Sequence, residues 1–242
     1  MNILAVDTAT KSCSVAIIDN QSILAEQTKV TQQTHSKHVM GMIRATIDLS
    51  GLKFADLEGF AVSRGPGSFT GLRIGIATVK GLAFASRKPL VGVSSLEALA
   101  MQSANSSFLI VTLLDARRGE VYCCRYRYKK ENLERETKED LLPLEKAIQD
   151  INEPCVFIGN GSVVYRNLLV DRLADLAHFE PDFQNTIRAS TVAYLSMGQF
   201  QYGNTDDVVN FVPVYIRKSD AEIKLDHKAT SPQYLASHSD RG

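Results

Sequence analysis

Residues 60–84, FAVSRGPGSFTGLRIGIATVKGLAF, constrain this chain more than any other stretch. They read as strand, glycine turn and helix. Phe60, Ala61 and Val62 form a short apolar run suited to a buried strand. Gly65, Pro66, Gly67 and Gly71 then mark a tight loop, with Ser68 or Thr70 as a helix N-cap. A helix is predicted over 72–85. On its wheel, Arg73 and Lys80 fall on one narrow strip and nearly everything else is apolar or small. The apolar arc sweeps roughly 280°, against roughly 100° for an ordinary surface helix. Such a helix is buried on more than one side. One side meets its own sheet. The other needs a neighbouring helix or another molecule. Gly71, Gly75, Thr78 and Leu82 share a face, and small residues there admit close approach.

The helix predicted over 36–50, stopped by Gly51, has the same surplus. Met40, Ile43 and Ile47 make its core stripe, and Met42, Ala45 and Leu49 widen it into a second apolar flank. Side by side, two such helices would expose a contiguous apolar patch, which a soluble monomer seldom tolerates. The expected partner face is therefore Met42, Ala45, Leu49, Gly71, Leu72, Gly75, Thr78 and Leu82.

Around these helices the chain sorts into alternating elements. Strands are predicted at 3–6, 13–19 and 22–30, joined by short connections that imply an antiparallel meander. The strand at 60–62, the long helix, a strand at 89–93 and a helix at 96–102 complete the order β-β-β-α-β-α-β-α. That order gives a five-stranded mixed sheet with helices on its faces. A polar break at 103–107 (SANSS) precedes a partial repeat: strands at 108–114, 119–128 and 155–158, helices at 144–150, 162–176 and 191–201, and a charged loop at 129–140. The expected organisation is an N-terminal subdomain at 1–105, a reduced second one at 106–215 and an irregular or disordered polar tail at 216–242.

Composition excludes several classes. With 242 residues the chain can bury a sizeable core, and a formal net charge of zero argues against a protein whose own field captures nucleic acid. Cys13, Cys123, Cys124 and Cys155 form no C-x-x-C, so reduced thiols in the cytoplasm are expected. The N-terminus reads as a first strand rather than a signal peptide, and no apolar run is long enough to span a bilayer.

ILAVDTATKSCSVAIID, GPGSFTGLRIGIATVKGLA and PLVGVSSLEALA together resemble the bacterial TsaB family, formerly called YeaZ. DARRGEVY and the GNGS at 159–162 agree with it. The resemblance implies an actin-like (ASKHA) α/β fold of two subdomains. It implies a non-catalytic subunit that pairs with the TsaD-type catalytic paralogue. With a TsaE-type ATPase, that pair places threonylcarbamoyl on adenosine 37 of tRNA. It further implies pairing through the first two helices, as a heterodimer with the paralogue and a homodimer when alone. Contact with tRNA would be indirect.

The residues bear on that reading. Actin-like kinases end their first strand in Asp-x-Gly-Thr, whose glycine lets backbone approach phosphates. Here the turns are Asp7-Thr8-Ala9-Thr10 and Leu114-Asp115-Ala116-Arg117, without glycine. Asp7 reads as a strand-end turn residue, with a catalytic carboxylate as the alternative. TsaD enzymes carry two metal-binding histidines four apart; the matching positions here are Ser95 and Leu99, a poor ligand and a non-ligand. No metal or other cofactor is expected. His35 and His38 read as solvent-facing. GPGSFTG is neither G-x-S-x-G nor a Walker loop. Along 121–130, tyrosines alternate with Arg125, Arg127 and Lys129, either as a basic stripe for tRNA or as an ordinary solvated face. The competing functions are an active actin-like enzyme (a small-molecule kinase or carbamoyl transferase) and a peptidase acting on its partner.

Overall fold

The computed structural model describes residues 1–217 apart from Gln21 and Gln32. The expected tail at 216–242 thus lies almost wholly outside the described residues. The first sheet has the order β3-β2-β1-β4-β5, from β1 (Asn2–Asp7), β2 (Ser12–Asp19), β3 (Ser22–Val30), β4 (Gly59–Gly65) and β5 (Leu90–Ser94). Its meander is antiparallel, and β1, β4 and β5 run parallel through crossover helices. Strand alternation divides the core. Leu4 and Val6 of β1 face one side, with Val39, Met42 and Ile43 of α1 (Val39–Ser50) and Ile76, Val79 and Ala83 of α2 (Phe69–Ser86). Ile3 and Ala5 face the other, with α3 (Ser95–Gln102).

The second sheet comprises β6 (Leu109–Asp115), β7 (Glu120–Lys129), β8 (Asn132–Arg135), β9 (Asp140–Pro143), β10 (Cys155–Ile158) and β11 (Ala177–Phe179). Its order is β11-β10-β6-β7-β8, with β9 also paired to β7. One face carries α4 (Leu144–Ile148), the short α5 (Asn160–Val164) follows β10, and α6 (Arg166–Leu173) supplies Leu169 to that face's core. The other face shares the α3 core through Ile110, Leu114 and Tyr126.

The structure departs from the sequence reading in several places. The charged stretch at 129–140 is not a loop: it holds β8 and begins β9, both edge strands with no buried residue. Helix 162–176 is broken at Tyr165 into α5 and α6, and a 3-10 turn ends it. The last helix, α7 (Ala189–Gln201), returns to the first sheet and buries Val192 and Ala193 beside β1 and β2. The Ala189 amide donates to Ser14 Oγ of β2 at 3.0 Å, and Arg188 pairs with Glu26 of β3.

Candidate functional site

In an actin-like fold, phosphate chemistry belongs to the turn after β1. Here that turn is filled by the chain itself. The first turn of α2, capped by Ser68 Oγ accepting from the Gly71 amide, sits directly on Thr8 and Ala9. The Ser68 amide donates to the Ala9 carbonyl at 2.7 Å, and Thr8 Oγ1 donates to the Gly71 carbonyl at 2.8 Å. A Cβ on Gly71 would collide with the Thr8 carbonyl, and one on Gly75 with Thr8 Oγ1. Gly67, Gly71 and Gly75 therefore admit the β1–β2 turn, not a second helix.

This overturns part of the expected partner face. Gly71, Leu72 and Gly75 are buried within the chain, and Met42 packs against the sheet at 9 % exposure. An apolar wheel shows how much of a helix is covered but not by what, and here the covering element is a β-turn. Ala45, Thr78 and Leu82 are half-buried and Leu49 is 68 % exposed.

Asp7 is sealed off. It is fully buried, its Oδ1 accepts from the Ala9 amide at 3.3 Å, and its Oδ2 has no hydrogen-bond partner among the described residues. Burial pushes its carboxyl up to about 7. A carboxylate that serves a nucleotide's metal must be ionised and reachable, and Asp7 is neither fully ionised at neutral pH nor reachable. Ser95 and Leu99 are likewise fully buried. These residues fit neither a bound nucleotide's phosphates at the β1 turn nor a metal at the α3 start.

Between the subdomains lies a cleft of about 360 Å³, walled by Lys11, Phe69, Asp115, Asn160, Tyr215 and Arg217. His35 is a correction: it is buried, and its Nε2 meets the Thr10 carbonyl at 2.7 Å, holding the turn from outside. The other described histidines are engaged too, His38 with Gln33 Oε1 and His178 stacked on Phe108. Burial pushes the Cys13 thiol up to about 12 and those of Cys123 and Cys155 to about 11, so none is a thiolate nucleophile at neutral pH.

The basic stripe is consumed internally. Arg127 bridges Glu136 at 2.6 Å and Glu153 at 2.9 Å, and Arg125 Nη2 donates to the Ala147 carbonyl at 2.8 Å. Both glutamates hold the Arg127 guanidinium above its usual range. Arg127→Ala is expected to lower stability by about 1 kcal/mol in denaturant melts while leaving tRNA affinity of an assembled complex unchanged. A tenfold loss of tRNA affinity with stability intact would reverse that reading.

One open apolar surface is the outer side of α1 and α2, which pack on the same face of the first sheet. Met40 is 52 % exposed, and Leu49 and Phe84 are each 68 % exposed. The same two helices carry Gly41 and Gly81, both exposed, with no atom of the described residues within 4 Å of where a Cβ would stand. Ala77 and Ala85 are exposed on the same helix as Gly81. Sequence reasoning found the two helices but placed the open face of α2 on its glycine-71/75 side. The signal for the true side was the i, i+4 row Ala77, Gly81, Ala85.

The chain matches a family model described as TsaD, tRNA N6-adenosine threonylcarbamoyltransferase, over residues 21–225. It is 31% identical over 227 residues to the tRNA threonylcarbamoyladenosine biosynthesis protein TsaB of Bacillus subtilis, covering 93% of this chain and 97% of that protein. It is also 31% identical over 234 residues to TsaB of Escherichia coli, covering 94% of this chain and 100% of that protein. YeaZ from Pseudomonas aeruginosa superposes with a TM-score of 0.75 at 28% identity, over 88% of this chain and 99% of that one. The activator of 2-hydroxyisocaproyl-CoA dehydratase from Clostridium difficile, at TM-score 0.51 and 10% identity, shares the actin-like fold alone. With the family model and near full-length relatives in agreement, this chain belongs to the TsaB branch of the TsaD family.

Proposed function

We propose that this chain is the non-catalytic partner subunit that pairs with a TsaD-type catalytic paralogue for N6-threonylcarbamoylation of adenosine 37 in tRNA. The observation that carries the reading is the outer face of α1 and α2. A glycine inside a helix costs about 1 kcal/mol relative to alanine. Gly41 and Gly81 incur that cost where no atom of the described residues occupies the space. Gly198 of α7 is equally open, so openness alone does not mark an interface. Gly41 and Gly81 differ in lying on two helices packed side by side on one sheet face, which also expose Met40, Leu49 and Phe84. That surface suits a second helix pair, either the paralogue's or, when the chain is alone, another copy's.

The filled β1 turn and sealed Asp7 support the non-catalytic part. The internally paired Arg125 and Arg127 support an indirect relation to tRNA. The assembly would lie in the cytoplasm and include a TsaE-type ATPase. No helix of the described residues is long and apolar enough to cross a membrane.

Reconstitution tests the reading. The chain alone should turn over no ATP and modify no tRNA, and the paralogue should gain activity when the chain is added. Leu49→Arg should leave the fold intact, because Leu49 is largely exposed, and weaken co-purification with the paralogue at least roughly 100-fold, since a charge buried without a partner costs several kcal/mol. Robust ATP turnover by the chain alone, abolished in Asp7→Ala, would make it an enzyme instead.

A further inference from the structure

We propose that residues 206–217 form an interdomain strap that limits the opening of the two subdomains and fixes the width of the cleft. The segment starts on the first sheet. The Asp206 amide donates to the Leu90 carbonyl at 2.9 Å, and Asp206 Oδ2 accepts from the Gly92 amide at 2.8 Å. Phe211 is 7 % exposed and its ring lies over Gly92, where a Cβ would collide with it. Lys80 Nζ donates to the carbonyls of Val209 at 3.0 Å and Phe211 at 2.9 Å. The Val214 amide donates to the Arg64 carbonyl at 2.8 Å. Tyr215 stacks on Phe69 with ring centroids 4.8 Å apart, and Arg73 lies 3.9 Å over the Phe69 ring while its Nε donates to Tyr215 Oη at 2.9 Å. The strap therefore occupies the Arg73–Lys80 strip, the only polar strip on α2.

It then crosses the cleft. Arg217 Nη1 donates to the Ala116 carbonyl at 2.9 Å, and its Nη2 pairs with Glu120. Ala116 and Glu120 close the β6–β7 hairpin through the Ala116 amide on the Glu120 carbonyl at 3.0 Å. That hairpin is the second subdomain's counterpart of the β1–β2 turn. One side chain thus ties a segment anchored on β4, β5 and α2 to the opposite wall. The guanidinium contact joins a charge to a carboxylate with the Glu120 side chain 34% exposed and Arg217 22% exposed, so it is partly shielded from water. The subdomains also share core packing around α3, so the strap limits their opening rather than holding them in association.

The test uses the full chain with spin labels at Lys53→Cys and Lys138→Cys, one on each subdomain. The native cysteines are buried and leave those positions as the labelled ones. Arg217→Ala, Tyr215→Ala and Glu120→Ala are compared with the unaltered chain. The strap predicts a broader or longer distance distribution in all three. It also predicts hydrogen exchange of the 116–120 hairpin about tenfold faster, the effect of losing one charge-assisted contact. Circular dichroism confirms that each variant folds. Should Tyr215→Ala unfold, Glu120→Ala and Arg217→Ala decide: the first removes the ion-pair half of the link without touching the strap, and the second removes both halves. Unchanged distances and exchange in Glu120→Ala and Arg217→Ala would show that the segment merely decorates the first subdomain and would overturn the proposal.

Discussion

Gly75→Trp is expected to unfold the N-terminal subdomain, whereas Gly81→Trp should leave it folded and abolish pairing. The two glycines lie on the same helix and differ in what stands opposite. A Cβ at Gly75 would collide with Thr8 Oγ1, whose hydroxyl is already donating to the Gly71 carbonyl at 2.8 Å. An indole there would drive the β1–β2 turn away from α2 and open the core around Val6 and Val62. Overpacking a well-filled site costs about 1–3 kcal/mol for added methylenes and more for a rigid ring. Against a typical stability of about 5–15 kcal/mol, the expected loss of most or all cooperative folding is large. At Gly81 no atom of the described residues lies within 4 Å of where a Cβ would stand. The indole would project outward, and replacing a helix glycine removes part of its roughly 1 kcal/mol propensity penalty. Monomer stability should hold or rise slightly, and the protruding ring should block any helix from approaching. Circular dichroism melts and light-scattering mass, alone and with the paralogue, separate the outcomes. If Gly81→Trp still pairs at wild-type affinity, the interface lies off the α1–α2 face. If Gly75→Trp melts like the unaltered chain, the β1 turn is not packed as described.

The layout of the first sheet was legible because its signals are local. A continuous apolar run at β1, the second strand close behind it, the alternating character of β3 and short turns specify the meander, and the GPGSFTG turn sets the start of α2. The facing of α2 was not legible. Its wheel has one polar strip, Arg73 and Lys80, which sequence logic assigns to water, whereas the structure gives both side chains hydrogen bonds to residues 206–217. Gly71 and Gly75 look like a helix-packing row because glycine signals close approach without saying of what. His35 has no apolar neighbours in sequence, and its burial depends on a carbonyl 25 residues earlier. Edge strand β8 carries charges on both faces, and β9 is four residues ending in a proline, so neither leaves a clear alternating pattern to detect. The return of α7 to the first sheet rests on Ser14 and Glu26, more than 160 residues away, and no window of sequence contains that contact.

Asp7→Asn should stabilise the chain near pH 8 and remove a component of its pH dependence. Asp7 is fully buried and carries no opposite charge, so burial disfavours its ionised form and lifts the carboxyl from an ordinary 3.8 to about 7. The unfolded chain releases that proton near 4, while the folded chain holds it until about 7. Between those values the folded state binds more protons, so stability falls as pH rises through the window and levels off above it. At about 1.4 kcal/mol per pH unit, the loss is roughly 3–5 kcal/mol. Asparagine is nearly isosteric, keeps an oxygen for the Ala9 amide and has no charge to bury. The difference in unfolding free energy between the variant and the unaltered chain should therefore grow by about 2–3 kcal/mol from pH 5 to pH 8 in guanidinium melts. Parallel curves would mean that Asp7 ionises freely in the folded state, and so that water or a cation reaches it. That outcome would also reopen the catalytic alternative, because a reachable ionised aspartate at the end of β1 is what a phosphate-handling member of this fold would need. A slope that vanishes in Asp7→Asn, with complex formation and tRNA modification unimpaired, would establish the opposite: the strand-end carboxyl is a cost the fold tolerates, and the chemistry belongs to the partner.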